Sequence, residues 1–152
     1  MIMKHKTINF IILLIASAFI FSCSETSKLK KQQINYIPNT LSNVYIGMPL
    51  KKFEAVRRIE NLSVNEGNDL TIAKENYSRD SITFIQYQFD KSKKLYEIII
   101  EYTHEFNTET MYKQKLGKYN GDKEWLFKLN DNLKLKIWIF QNRLCIADSK
   151  HF

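Results

Sequence analysis

The sequence predicts an α+β domain in which two tandem helix-strand-strand-strand units form one curved antiparallel sheet, with both helices on one face. Two amphipathic stretches, one after Pro49 and one after Asn107, each lead into segments whose apolar residues alternate. A helical period marks a helix laid on a core, and period-two alternation marks half-buried antiparallel strands. The chain has 152 residues, 44% hydrophobic and 13% aromatic, enough for one packed core and too short for a multidomain enzyme. Four glycines, two prolines and two cysteines exclude both a Gly/Pro-rich disordered chain and a disulfide-stapled miniprotein.

The domain is expected over residues 41–152. It opens at Asn43 to Pro49, where Gly47 permits a turn and Pro49 suits the first helical position, which needs no N–H donor. Leu50, Phe53, Val56 and Ile59 then repeat near the helical period, with Lys51, Lys52, Glu54, Arg57 and Arg58 on the other side. This predicts a helix of about three turns. Asn61 to Asn68 is a polar stretch, followed by strands expected at 70–77, 81–89 and 95–103. In the second strand Thr83, Ile85, Tyr87 and Phe89 share a face, and in the third Tyr96, Ile98, Ile100 and Tyr102 do. The polar run Asp90 to Lys94 between them reads as a hairpin loop.

The pattern then restarts. Asn107 or Thr108 caps a short helix carrying Met111, Tyr112 and Leu116, and Gly117 stands just past its end. Strands are expected at 124–129, 133–141 and 144–148, separated by Asn130-Asp131-Asn132 and by a tight turn at Asn142-Arg143.

Residues 1–22 read as a signal peptide rather than as part of this domain. Lys4, His5 and Lys6 form a basic start, and the apolar run from Phe10 to Phe21 is about a dozen residues, short of the roughly 20 that cross a bilayer. Ile20-Phe21-Ser22-Cys23 resembles the lipobox of bacterial lipoproteins, in which the cysteine thiol is acylated before cleavage. The resemblance implies a lipid anchor on Cys23, worth about 0.8 kcal/mol per buried CH₂. It also implies a place in the cell envelope, with Ser24 after the cysteine fitting the outer membrane, facing the periplasm or the cell surface. Removing Lys4 and Lys6 lowers the net charge from +7 to +5. Export makes nucleic acid an unsuitable partner and brings anionic headgroups and acidic protein surfaces within reach.

Residues 23–40 are polar with little periodicity and are expected to form a lipidated flexible tether, with Lys28, Lys30 and Lys31 near the headgroups. With Cys23 acylated, Cys145 in Leu144-Cys145-Ile146-Ala147 is read as a small buried hydrophobe with a raised pKa.

The element order, Ile46-Gly47-Met48 entering one helix and Leu116-Gly117-Lys118-Tyr119-Asn120 leaving the other, resembles the small lipoproteins of the outer-membrane assembly machinery, the SmpA/OmlA family. More broadly it resembles the beta-lactamase-inhibitor-protein-like fold, and the likeness covers about residues 43–148. The resemblance implies a binding module without chemistry of its own, acting as an envelope scaffold or as an inhibitor of hydrolases. The only functional residue it carries over is the lipid-bearing Cys23.

The residues themselves offer little chemistry. His104 and His151 have no His or Cys partner at metal-ligand spacing, and no phosphate loop or nucleophile elbow is present. No catalytic residue, metal or cofactor is assigned. Glu97 and Glu101 lie about 13 Å apart along a strand, too far to share one glycosidic bond, and read as a solvated face. One constellation stands out. If Leu133, Leu135, Ile137 and Ile139 face the helices, then Lys134, Lys136, Trp138 and Phe140 face away, with Phe84 and Ile99 extending the patch. An aromatic pair beside two lysines on the open side of a sheet is a candidate partner surface. The expected function is a membrane-anchored, non-catalytic protein-binding or scaffold module, the alternative being an inhibitor or protective binder of an envelope or extracellular hydrolase. A carrier of apolar ligands is disfavoured by the large inward residues Phe53, Tyr87, Phe89, Tyr102 and Trp125.

Overall fold

A computed structural model describes residues 27–57, 62–66 and 69–152. The signal segment, Cys23, Arg58 and Ile59 lie outside these residues. In chain order the elements are α1 (residues 27–33), α2 (Leu50–Val56), β1 (Leu62–Glu66), β2 (Thr71–Arg79), β3 (Ile82–Phe89), β4 (Leu95–Tyr102), α3 (Thr108–Leu116), β5 (Glu124–Asn130), β6 (Leu133–Phe140) and β7 (Arg143–Asp148). Short 3-10 turns lie at Asn39–Leu41 and Ser149–His151. All seven strands belong to one open, curved antiparallel sheet ordered β1-β2-β3-β4-β7-β6-β5, so the expected α+β class holds.

Each unit is a meander running inward from one edge of the sheet, and the two meet where β4 pairs with β7. The first unit holds four strands instead of the expected three. Part of the polar stretch is the edge strand β1, in register from Leu62↔Glu75 to Glu66↔Thr71. Ser63, Asn65 and Glu66 are exposed and Val64 is only half-buried, because an edge strand can place polar residues on both sides.

The buried face carries rows of apolar side chains in register. Ala73, Tyr87, Ile98, Ile146, Ile137 and Trp125 form one row across six strands, and Ile85, Ile100, Leu144 and Ile139 form the next. Irregular pairing between Ile82 and Phe84, and again between Gln88 and Phe89, shifts the alternation. Ile82 is therefore buried where Thr83 was expected. Leu95 likewise replaces Tyr96, whose hydroxyl donates to Gln88 Oε1 at 2.7 Å. A bulge inserts one residue and re-aims the side chains beyond it, which simple alternation cannot show.

Both α2 and α3 lie on the buried face. Phe53 of α2 packs its ring 4.6 Å from Tyr87 and 5.1 Å from Phe89. Tyr112 of α3 places its hydroxyl 3.2 Å from that of Tyr102. The Asn107 side chain caps α3 by accepting from the Thr110 N–H, and Gly117 closes it at φ +83°. α2 ends at Val56, about a turn earlier than its periodicity suggests. Arg57 has left helical geometry there (φ −111°, ψ 51°) and turns beneath the helix. Its guanidinium binds both carboxylate oxygens of Glu75, which also accepts from the Tyr87 hydroxyl at 2.9 Å. Arg57 was expected on the polar side of the helix and is instead buried.

The expectation of a flexible tether over 23–40 also gives way for residues 27–40. The Gln33 side chain acts like a peptide group, donating to the Ile46 carbonyl at 3.0 Å and accepting from the Ile46 N–H at 2.7 Å. Leu29 and Ile37 join the core, Tyr36 packs on Phe127 at 4.4 Å, and Gln32 donates to the Leu129 carbonyl on the free edge of β5. Gly47 is required at this junction: its φ is +91°, and a Cβ there would lie 3.2 Å from Leu29 Cδ2.

The hairpin joining β2 and β3 turns on Asp80 and Ser81, at φ 56° and 61°. Two positive φ values match the twist of the flanking strands, and polar residues tolerate them best. The last hairpin turns on Gln141 and Asn142, one residue before the expected pair, and the Asn142 amide donates to the Tyr102 carbonyl.

Candidate interaction face

The side of the sheet away from α2 and α3 is built from the alternate residues of the same strands. Phe84, Glu101, Arg143 and Phe140 form one row across β3, β4, β7 and β6. Gln86, Ile99, Cys145 and Trp138 form the next, and Gln88, Glu97, Ala147 and Lys136 the third. Lys134, Lys136, Trp138 and Phe140 therefore share the open face, with Phe84 and Ile99 beside them. Leu133, Leu135 and Ile137 are buried on the opposite side.

The four β6 residues differ in how free they are. Phe140 is 58% exposed. Trp138 is half-buried because the Phe152 ring packs edge-on against it at 5.2 Å. Lys136 pairs with Glu124 at 2.9 Å and holds its Nζ 5.6 Å from the Trp138 ring, so its charge is already engaged. Lys134 is exposed, opposite Lys128, whose ammonium binds Asp131 at 2.8 Å. A shallow hollow of about 350 Å³ lies along Glu124, Lys136, Trp138 and Phe152.

The C-terminal segment is the part of this face that the pattern of residues did not reveal. His151 stacks on Tyr96 at 4.6 Å and Phe152 lies against Trp138, roofing one end of the sheet. Two residues after the last strand carry no periodicity from which docking can be read. His104 is exposed, as expected, and His151 has its Nε2 4.0 Å from an Asp90 carboxylate oxygen.

Glu97 and Glu101 do not form the expected solvated face. Glu101 is half-buried and accepts from Arg143 Nε at 2.7 Å. Glu97 is 5% exposed and has no hydrogen-bond or ion-pair partner among the described residues. Burial pushes its carboxyl up from the ordinary range to about 7. The nearby Cys145 thiol is buried and pushed up to about 12, chiefly by desolvation and further by the Glu97 charge. It behaves as a small hydrophobe on the open face rather than beneath the helices.

This predicts a pH dependence with a definite sign. Between about pH 4.5 and 7 the unfolded chain ionises Glu97 while the folded chain keeps it protonated, so folding stability falls as pH rises through that window. The Glu97 carboxyl oxygens keep some contact with solvent, which screens the effect, so the fall is about 1–2 kcal/mol at full development. Glu97→Gln is expected to remove it, measured as the difference in urea midpoint between pH 4.5 and pH 8 for the two proteins. Equal pH slopes in both would contradict the burial of an unpaired carboxyl.

A larger hollow, about 760 Å³, opens between residues 34–40 and α3, over Tyr102, Phe106 and Met111. The inward residues Phe53, Tyr87, Phe89, Tyr102 and Trp125 are all buried and fill the space between helices and sheet. Among the described residues no three His, Cys, Asp or Glu side chains come together in a way that could hold a metal, and no helix is long and apolar enough to cross a membrane. No protein-family model matches the chain, and no curated protein and no solved structure shows significant similarity to it.

Proposed function

We propose that the chain is a lipoprotein anchored in the outer membrane of the cell envelope, acting as a non-catalytic protein-binding or scaffold module through the open face of its sheet. Phe140 carries this reading: a large aromatic side chain left 58% exposed in a row with Phe84 and next to Trp138, with Lys134 on the same face about 20 Å further along the strand. Aromatic side chains supply much of the binding energy at interfaces, and an exposed lysine at the other end of the same strand face helps to orient an acidic partner. The lipobox-like Ile20-Phe21-Ser22-Cys23 supports the anchor, and the doubled helix-and-meander order supports the likeness to SmpA/OmlA lipoproteins.

A photo-crosslinking residue at position 140, in intact cells, is expected to give one discrete protein adduct. The same residue at the exposed Lys113 of α3, on the other side of the sheet, is expected to give none. Failure of position 140 to yield an adduct, or equal yields from both positions, would contradict the proposal. Mass spectrometry of the membrane fraction checks the anchor through an acylated peptide beginning at Cys23.

A further inference from the structure

The chain from Ser27 onward, four residues past Cys23, is part of the folded body, which changes what an anchor at Cys23 would do. Leu29 and Gln33, one turn apart, point inward, and Gln32 reaches the edge of β5. On a helical wheel the opposite side of α1 carries Lys30, Lys31 and, in the following turn, Ile34, with Lys28 at its flank. All four are exposed, Ile34 by 50%, and the three lysines form no ion pair among the described residues. Basic side chains around one exposed apolar residue are the composition of a surface that rests in the interfacial layer of a bilayer.

The chain length between anchor and helix is decisive. Four residue steps separate Cys23 from Ser27. Fully extended, they span at most about 14 Å. A flexible segment of 15 residues would let the domain roam roughly 20–25 Å from its anchor. The folded body instead begins within one headgroup layer of an acylated Cys23.

From this we propose that the outer side of α1, formed by Lys28, Lys30, Lys31 and Ile34, is a membrane-contacting face that seats the domain against anionic lipid headgroups. The proposal rests on acylation of Cys23. Glu25 offsets one of the three positive charges, leaving a local excess of two. Each lysine near an anionic surface strengthens contact by about fivefold. Seating the α1 side on the bilayer also fixes which parts of the molecule face a partner.

The test uses the acylated protein reconstituted in vesicles, with an environment-sensitive fluorophore on Ile34→Cys and, separately, on Ser63→Cys of β1. Cys145 is buried and does not compete for label. α1 hangs over the β5 side of the sheet, and β1 is the opposite edge. In vesicles containing about one-third phosphatidylglycerol, quenching by brominated lipid is expected at residue 34 and at most a third as much at residue 63. Raising salt from 0.05 to 0.5 M, or replacing Lys28, Lys30 and Lys31 with Gln, is expected to halve the quenching at 34 or more, with acylation unchanged by mass spectrometry. A water-exposed label at 34 on protein with an intact acyl group overturns the proposal, including the case in which the lysines bind an acidic protein. Protein recovered without lipid on Cys23 overturns both this proposal and the anchor, and the mass spectrum tells that failure from the first.

Discussion

Trp125→Ala is expected to destabilise the domain by about 3–5 kcal/mol, close to the whole stability of a small domain. Trp125 is the largest fully buried side chain and closes the core row on β5. Its indole packs 4.3 Å from the Tyr119 ring, and its Nε1–H donates to the Gly117 carbonyl at 2.9 Å. The residue thus joins the second sheet edge to the end of α3. Truncation leaves a large cavity and strips a hydrogen bond from the closing residue of a nine-residue helix. Trp125→Phe keeps most of the volume but loses the donor and part of the ring, for which about 1–3 kcal/mol is expected. Urea unfolding followed by circular dichroism separates the two, and similar losses for both variants would show that the hydrogen bond, not the volume, matters most.

Breaking the buried pair beneath α2 is the other large effect. Glu75→Ala is expected to cost about 3–5 kcal/mol, because the Arg57 guanidinium then stays buried without a counter-charge. Glu75 is 1% and Arg57 8% exposed. Tyr87→Phe removes one donor to the same carboxylate, and about 1 kcal/mol is expected. The pair is not completely satisfied, since Arg57 Nε is buried with no partner among the described residues. Replacing both ends with apolar groups, Arg57→Met with Glu75→Leu, is therefore expected to cost less than Glu75→Ala alone. A double-mutant cycle measures the coupling, and strictly additive losses would contradict it.

These two sites were unequally legible in the sequence. Trp125 stands in an alternating strand and is recognisable as an inward residue. Arg57 occupies a helical-wheel position that predicts solvent, and only the break in helical geometry after Val56 redirects it inward. Gln33 raises the same difficulty. A buried glutamine is compatible with a core only when both ends of its amide are satisfied, and the satisfying group, the Ile46 backbone, is thirteen residues away. A polar segment with no periodicity therefore reads as tether although it folds onto the sheet. β1 is hidden in the sequence because an edge strand needs little burial, and alternation places Tyr96 on the wrong face because Tyr96 is itself the extra residue of a bulge.

The open face was legible for the opposite reason. Lys134, Lys136, Trp138 and Phe140 obey strict alternation on a strand without an internal bulge, so period two alone places them on a common side. The covering by Phe152 was not legible, and it narrows the free surface to Phe140, Lys134 and the uncovered part of Trp138.

The affinity of the partner captured at position 140 for Phe140→Ala, compared with the unaltered protein, bears most directly on the role of that face. A 58% exposed side chain contributes little to folding, so the thermal midpoint is expected to fall by less than about 1 kcal/mol equivalent. Binding is expected to weaken by about 30-fold or more, as for a residue at the centre of an interface. An unchanged affinity in a folded variant would contradict the assignment of the open sheet face as the binding surface.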